Sequence, residues 1–182
     1  MSRADVSPIP SATGADPATL NLGLEREDGD WSDLGGLEPA IAAVGRALAA
    51  HAAGSATRGG EASIVLGSDA MLRRLNASYR GKDAATNVLA FAFTPRAAAD
   101  QDAGHYLGDV VLARETIGRE AAARGLPPLH HVQHLALHGL LHLIGYDHET
   151  DAEAAAMERL ETEILTGLGL GDPHAATVPS DD

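Results

Sequence analysis

The sequence predicts an α+β fold, in which one mixed four-stranded β-sheet is covered by about five helices. Short strand-like segments and longer segments of helical periodicity follow one another in the order β-α-β-α-β-β-α-α-α, and a set of this kind packs naturally as a sheet with helices on it. The chain has 182 residues, which is the length of one domain, and it contains no internal repeat. A chain with about 150 ordered residues buries roughly 68–70% of its unfolded surface, enough for a core without disulfides.

The first half of the chain supplies two predicted strands and two predicted helices. Leu20, Leu22 and Leu24 alternate with small or polar residues, which is typical of a strand with one buried face. Ser68 is a suitable N-cap for the helix that follows the second strand. In chain order, the predicted elements are a strand at 20–24, a polar loop at 28–36, a helix at 38–53 that Gly54 ends, a strand at 63–66, and a helix that runs from Ser68 to about Tyr79.

The second half supplies two strands and three helices. Pro95 ends the third strand, and Gly125 with the pair Pro127 and Pro128 ends the third helix. In chain order, the predicted elements are a loop at 80–86, a strand at 88–93, a polar connection at 96–104, a strand at 106–113, a helix at 115–124, a helix from about 130 to 144, and an amphipathic helix at 151–168.

The ends of the chain differ in composition from its middle. We interpret residues 1–17 as a disordered tail, residues 18–170 as a single domain and residues 171–182 as an acidic tail. The N-terminus lacks the apolar segment of a secretory signal, and the longest apolar run, 135–144, is far shorter than the ~20 residues of a membrane span. With no cysteine present, these features predict a cytoplasmic protein without a membrane partner. They give no indication of the oligomeric state.

Charge is unevenly distributed along the chain. The net charge of −13 argues against a general nucleic-acid binder, which would be basic. One stretch nevertheless holds five basic residues and a single acid: Arg73, Arg74, Arg80, Lys82, Asp83 and Arg96. These basic side chains either present one positive face to a polyanion or form an ordinary solvated surface.

The most informative segment is HGLLHLIGYDH, at 138–148. Histidines at i and i+4 of a helix project from the same face, so His138 and His142 can bind one cation. Gly145 lets the chain leave the helix in a conformation that a side chain would resist, and the turn returns His148 to the same ion. Three neutral imidazoles leave one open position on a tetrahedral Zn²⁺, as in catalytic sites, and they also suit Ni²⁺ or Co²⁺. Chance spacing is the weaker interpretation, because unpaired imidazoles are costly in a Leu-rich helix.

The spacing H-x-x-x-H-x-x-G-x-x-H also occurs in metzincin metalloproteases. In those enzymes the residue after the first histidine is a Glu that serves as the general base, whereas this chain has Gly139. A metalloprotease-like hydrolase without the usual base is therefore an alternative function.

Four segments of the chain resemble the YbeY family of bacterial endoribonucleases. They are LNASYRGKDAATNVLAFAF at 75–93, LGDVV at 107–111, HGLLHLIGYDH at 138–148 and MERLETEIL at 157–165. The resemblance, over about residues 19–170, implies a mixed four-stranded sheet and a metal-dependent, single-strand-specific RNase. It further implies action in maturation of the 3′ end of 16S rRNA and in ribosome quality control. The expected partners are single-stranded RNA, including rRNA, and the ribosome or small-subunit components.

The same resemblance implies that Arg80 is required for activity and that His138, His142 and His148 hold the metal. We hypothesise that water activated by the metal attacks phosphorus while the Arg80 guanidinium stabilises the charge of the transition state. The chain departs from the family pattern at Ala84 and Ala85, where Lys-Pro is common, and at Ala90 and Ala92, so one basic contact is lost. A further alternative is a non-catalytic ribosome-assembly factor with a structural metal.

Four more residues are candidates for the site. Lys82 either contacts a phosphate or is a solvated charge, and Asn87 either contacts substrate or only cross-links its loop. His134 lies one turn before His138, so it either touches substrate or is a partly exposed helix residue. Asp147 orients a ligand imidazole, accepts a proton or caps the turn. Two further histidines are expected at the surface, His130 and His131.

Overall fold

The computed structural model of the protein describes residues 20–52, 60–94 and 106–175 and contains, within them, the nine predicted elements in the predicted order. They are β1 (Asn21–Arg26), α1 (Leu37–Ala52), β2 (Glu61–Gly67), α2 (Asp69–Arg80), β3 (Val88–Ala92), β4 (Tyr106–Ala113), α3 (Arg114–Ala123), α4 (Pro128–Leu143) and α5 (Asp151–Gly167). Every end lies within two residues of its predicted position. None of the helices in these ranges is both long and apolar enough to cross a membrane.

Some predictions fall outside the described ranges. They concern the tail at 1–17, the helix stop at Gly54, the strand stop at Pro95, the connection at 96–104 with Arg96, and residues 176–182 of the acidic tail.

The four strands form one mixed sheet with the spatial order β1-β2-β4-β3. β1, β2 and β4 run parallel, and β3 runs antiparallel to β4. In the register of the central strands, Ile64 of β2 pairs with Leu24 on one side and with Val110 on the other. The mixed sheet predicted from the element order is confirmed.

The two faces of the sheet pack against different helices. Because successive residues of a strand point to opposite faces, Ile64 and Val110 enter the larger core, which α1, α4 and α5 complete. Val65 and Val111 point the other way and pack with residues of α2. Helix α4 contacts β3 and β4 as well as α1, α3 and α5, so a side chain on α4 can meet groups from most of the fold.

One expectation about α4 is wrong. His131 is buried, with 3% of its surface exposed, whereas the sequence predicts a surface residue. Helix α3 packs on α4 and supplies Glu120, whose Oε2 lies 2.7 Å from Nε2 of His131, so the buried ring keeps a polar partner. Burial lowers the pKa of His131, and the hydrogen bond to Glu120 only partly opposes this shift. His130 is half-buried.

Candidate metal centre

Helix α4 packs closely against β4 at Gly139. A Cβ atom at this position would lie 2.4 Å from Cγ1 of Val110, so glycine fits there and a larger residue would force the helix or the sheet to move. With Gly139 against the sheet, the half-buried side chains of His138 and His142 line a cavity beside it. The same contact leaves no space at this position for the side chain of a general-base Glu.

The turn after α4 brings a third imidazole to this pair. Gly145 has a φ of +97°, a left-handed conformation that residues with a Cβ rarely adopt. The ring centroid of His148 lies 5.0 Å from that of His142 and 5.8 Å from that of His138. One nitrogen from each of the three rings lies within 4.8 Å of the other two. The structure therefore brings together the three residues that the sequence predicts as metal ligands.

Two of these imidazoles are oriented through Nδ1. Nδ1 of His138 donates to Oε1 of Glu161 (2.7 Å), and Nδ1 of His142 donates to the backbone carbonyl of Tyr146 (3.0 Å). A carboxylate and a carbonyl only accept, so each neutral ring carries its proton on Nδ1 and a lone pair on Nε2. The two Nε2 atoms lie 3.2 Å apart, where facing lone pairs repel and a shared cation would remove the repulsion. That separation also matches the roughly 3.3 Å between ligand atoms of a tetrahedral ion with bonds of about 2.0–2.1 Å.

The electrostatics of the site favour a neutral His142 and an ionised Glu161. Burial, followed by the positive charge that His138 and His148 would carry, lowers the pKa of His142 and favours the neutral ring that binds a metal. Glu161 is 1% exposed. Burial raises the pKa of this carboxyl, but hydrogen bonds from His134 and His138 outweigh burial and hold the pKa well below its ordinary value.

A cavity of about 480 Å³ lies over the three histidines, and Arg80 lines it with them. Arg80 is the last residue of α2, which ends at Gly81 in a left-handed conformation with a φ of +67°. Its side chain is exposed and pairs with no carboxylate in the described part of the chain, whereas Arg73 on the same helix pairs with Asp83. Arg80 is therefore available to an anion that enters the cavity.

Two more predicted residues line the same cavity, Asn87 and Asp147. Nδ2 of Asn87 donates to both carboxylate oxygens of Glu120, at 3.0 and 3.2 Å, which ties its loop to α3. Oδ1 of Asp147 accepts from the backbone N–H of His148 at 2.8 Å, as expected of a residue that caps the turn. The carboxylate in contact with one of the three predicted ligand imidazoles is that of Glu161, at His138.

The remaining two predicted residues lie elsewhere. Lys82 is exposed and is not among the residues that line the cavity over the histidines. His134 lines a second cavity, of about 210 Å³, which it shares with His138 and His148.

Sequence reasoning misses two residues next to the site, Glu161 and His174. Glu161 lies on α5 at helical spacing from the core residues Met157 and Ile164, so an acid on an apolar helix face is the signal that could have identified it. His174 follows α5, and its Nε2 lies 2.6 Å from Oε2 of Glu161. Nothing in its local sequence indicates this contact.

Known proteins resemble this chain over most of its length. Residues 38–169 match the family described as Endoribonuclease YbeY. Endoribonuclease YbeY of Rhodopseudomonas palustris strain BisA53 is 51% identical over 139 residues, which cover 75% of this chain and 81% of the relative. Endoribonuclease YbeY of Azorhizobium caulinodans is 46% identical over 151 residues, which cover 82% of this chain and 92% of the relative. The solution structure of TM1509 from Thermotoga maritima shares the fold, with a TM-score of 0.52 and 17% identity over 88% of this chain and 99% of that one.

Proposed function

We propose that this chain, which belongs to the YbeY family of endoribonucleases, cleaves single-stranded RNA with the help of a divalent metal held by His138, His142 and His148. One observation carries the proposal: three imidazoles converge, two of them oriented through Nδ1, in a cavity that Arg80 also lines. Family membership supports the endoribonuclease activity, and the converging rings support its dependence on a metal.

The donor set suits Zn²⁺, and it also suits Ni²⁺ or Co²⁺. When bound, such an ion supplies Lewis-acid chemistry and activates a nucleophile near neutral pH. The protein's part is to orient the rings so that a nitrogen lone pair of each faces the ion. Glu161 and the Tyr146 carbonyl do this for His138 and His142, and partners of this kind commonly set metal affinity. The three histidines would hold the ion and leave it accessible to the substrate.

Arg80 supplies the second charge that phosphodiester cleavage needs. The substrate is anionic, and negative charge on its non-bridging oxygens grows in the transition state. A guanidinium can donate two parallel hydrogen bonds to two phosphate oxygens, and Arg80 has no competing carboxylate partner in the described residues. We assign Arg80 to binding the phosphate and stabilising its transition state, and we retain Lys82 as a second, peripheral phosphate contact.

The geometry disfavours peptide hydrolysis by the metzincin route. Position 139, where those enzymes carry the Glu base, is a glycine pressed against Val110. A side chain at this position would meet the sheet instead of reaching toward the metal.

The biological setting follows from the family rather than from the cavity. We propose that the substrate is rRNA, with the 3′ end of 16S rRNA as the site of maturation, and that the protein acts in the cytoplasm on ribosomes or small-subunit particles. We also propose that residues 18–170 form the catalytic domain.

Cleavage of defined substrates tests the proposal. Purified protein is incubated with a labelled single-stranded RNA that spans the 3′ end of 16S rRNA, with the duplex of the same sequence, with the corresponding DNA and with unfolded casein. We expect endonucleolytic cleavage of the single-stranded RNA alone. Cleavage of casein, or equal cleavage of duplex and single strand, would contradict the proposed substrate.

A further inference from the structure

A second group of metal-binding side chains lies beside the first. His134 of α4, Glu161 of α5 and His174 after α5 each place one ligand atom within 4.8 Å of the others. We propose that these three residues form a second divalent-metal site, with ligands that are separate from the triad of the proposed function.

Oε2 of Glu161 is the common point of this site. It lies 2.6 Å from Nε2 of His174 and 3.4 Å from Nε2 of His134. A tetrahedral ion with bonds of about 2.0–2.1 Å separates its ligand atoms by roughly 3.3 Å. The distance to His134 already matches that value, and the distance to His174 has to open by only about 0.7 Å.

The charge of Glu161 supports a cation at this point. The carboxylate is 1% exposed, and no Arg or Lys side chain in the described residues pairs with it. Its neighbours are imidazoles, with Oε1 used by His138 and Oε2 shared by His134 and His174. Buried carboxylates in proteins are normally hydrogen-bonded or bound to a metal, and a divalent ion on Oε2 would take the place of the two ring N–H groups that point at this oxygen.

His174 is held in place by the chain around it. Oδ1 of Asp172 accepts from Oγ1 of Thr162 and from the backbone N–H of His174, both at 2.9 Å. Arg124 donates to the carbonyl of Pro173. These contacts fix the segment after α5 against α5 and the end of α3, so the third ligand is positioned before an ion binds.

The site is open to solvent on one side. Its three residues line the cavity of about 210 Å³ that His138 and His148 also line, and the side chain of His174 is 31% exposed. This leaves room for water ligands and a route for an ion. Two imidazole nitrogens and one carboxylate oxygen favour Zn²⁺, Co²⁺ or Ni²⁺ over Mg²⁺ or Ca²⁺, which prefer oxygen ligands. Glu161 would then link the two sites, with one oxygen on His138 and the other on the second ion.

Metal stoichiometry tests the proposal. The full chain, prepared without a histidine tag, is stripped with a chelator, dialysed and titrated with Zn²⁺ by calorimetry, with bound metal measured independently. We expect two ions per chain for the wild type and one for His174→Ala and for His134→Ala. The matched control is His51→Ala, which removes an exposed histidine that lines neither cavity and should still bind two. His142→Ala should lose the triad ion and keep the ion that depends on His174.

Two results would overturn the second site. One is a wild type that binds a single ion per chain and a His174→Ala variant that binds the same ion. The other is two ions per chain in both His174→Ala and His134→Ala. Thermal melting of His174→Ala checks the fold, which we expect to be retained because the residue is exposed. A failure of the proposed function would look different, since it would show as a His142→Ala variant with wild-type metal content and RNA cleavage.

Discussion

At the scale of single residues, the chemistry depends on the hydrogen-bond acceptor that each imidazole contacts. Glu161 and the Tyr146 carbonyl fix the protons of His138 and His142 on Nδ1, and this leaves both Nε2 atoms to face each other. Arg80 adds a cation at the wall of the same cavity. Each of these roles can be removed by changing one side chain.

Arg80→Ala should lower cleavage of single-stranded RNA by about 10²–10³-fold, because it removes a group that stabilises transition-state charge. Metal content should stay unchanged, since Arg80 is not among the histidine ligands. Arg46→Ala is the matched control, because Arg46 is an exposed arginine on α1 that lines neither cavity. Rates are measured under single-turnover conditions with metal content in parallel. Loss of metal in Arg80→Ala would give Arg80 a structural role instead.

Glu161→Gln should weaken binding of the triad ion by about 10–100-fold, the usual cost of losing a carboxylate that orients a ligand histidine. The amide keeps the size of the side chain but loses the charge behind His138. Glu163→Gln changes an exposed acid of the same helix and should leave the affinity unaltered. Competition with a chromophoric chelator gives both affinities. Equal affinities for the two variants would mean that Glu161 does not control the metal.

The residues of the site differ in how well the sequence predicts them. The three histidines are predicted because they lie within eleven residues of one another, so helix geometry and one glycine determine their meeting. Arg80 is predicted only through the resemblance. Glu161 lies 23 residues from His138, and its contact with that ring depends on how α5 packs on α4, which local periodicity does not specify.

At the scale of elements, α4 unites the core and the site. Ten of its sixteen residues are buried, and His131 and His138 contact carboxylates on α3 and α5. The close contact between Gly139 and Val110 determines which side of this helix faces the sheet.

Gly139→Ala should lower the free energy of unfolding by about 1–3 kcal/mol, because the added Cβ would overlap the Val110 side chain. Gly167→Ala is the control, since a Cβ there meets no atom within 4 Å, and alanine has the higher helix propensity. Urea unfolding of both variants measures the difference. The double variant with Val110→Ala should show a favourable coupling, and additive effects would argue against the contact.

Tyr106, the first residue of β4, has a raised pKa. The Tyr106 hydroxyl donates to Oδ1 of Asp109 at 2.6 Å and lies 3.1 Å from Oγ of Ser63 on the neighbouring strand. Burial, and then the hydrogen bond to Asp109, raises the pKa of Tyr106 to about 12. In the unfolded chain the pKa of a tyrosine is about 10.

This displacement predicts that stability falls as the pH rises from about 10 to 12. In that window the unfolded chain releases the phenolic proton and the folded chain keeps it, so the contribution of Tyr106 is complete below about pH 10 and is lost as the pH passes 12. Ultraviolet titration should show a late phenolate that Tyr106→Phe lacks. Unfolding in urea between pH 9 and 11 should show a smaller decline for that variant. An identical decline would refute the assignment.

The elements themselves follow closely from local sequence, because alternation, helical spacing and end signals such as Ser68 and Gly125 are short-range properties. The order of the strands in the sheet does not follow from local sequence. The sequence contains no local signal that places β4 between β2 and β3, since this pairing is decided by packing of helices on both faces. The burial of His131 is missed for the same reason.

At the scale of the whole molecule, the three histidines of the proposed metal centre are not members of the apolar core. The larger cluster joins the sheet to α1, α4 and α5 through apolar side chains such as Ile41, Leu137 and Ile164. The fold should therefore survive removal of the ion. An ion present at 100 times its dissociation constant stabilises by about 2.7 kcal/mol, which corresponds to a fall of roughly 5–10 °C in melting temperature when it is removed.

The central claim is that a metal held by three histidines performs catalysis on a fold that does not need it. The most direct test is one measurement series on wild-type protein, metal-stripped protein, metal-restored protein and His138→Ala. Each sample is assayed for cleavage of single-stranded RNA, metal content and circular dichroism. The account predicts that stripped protein and His138→Ala stay folded but do not cleave, and that restoring the metal restores cleavage to the wild type alone. Full cleavage by the stripped protein would contradict the account, as would a fold that collapses when the metal is removed.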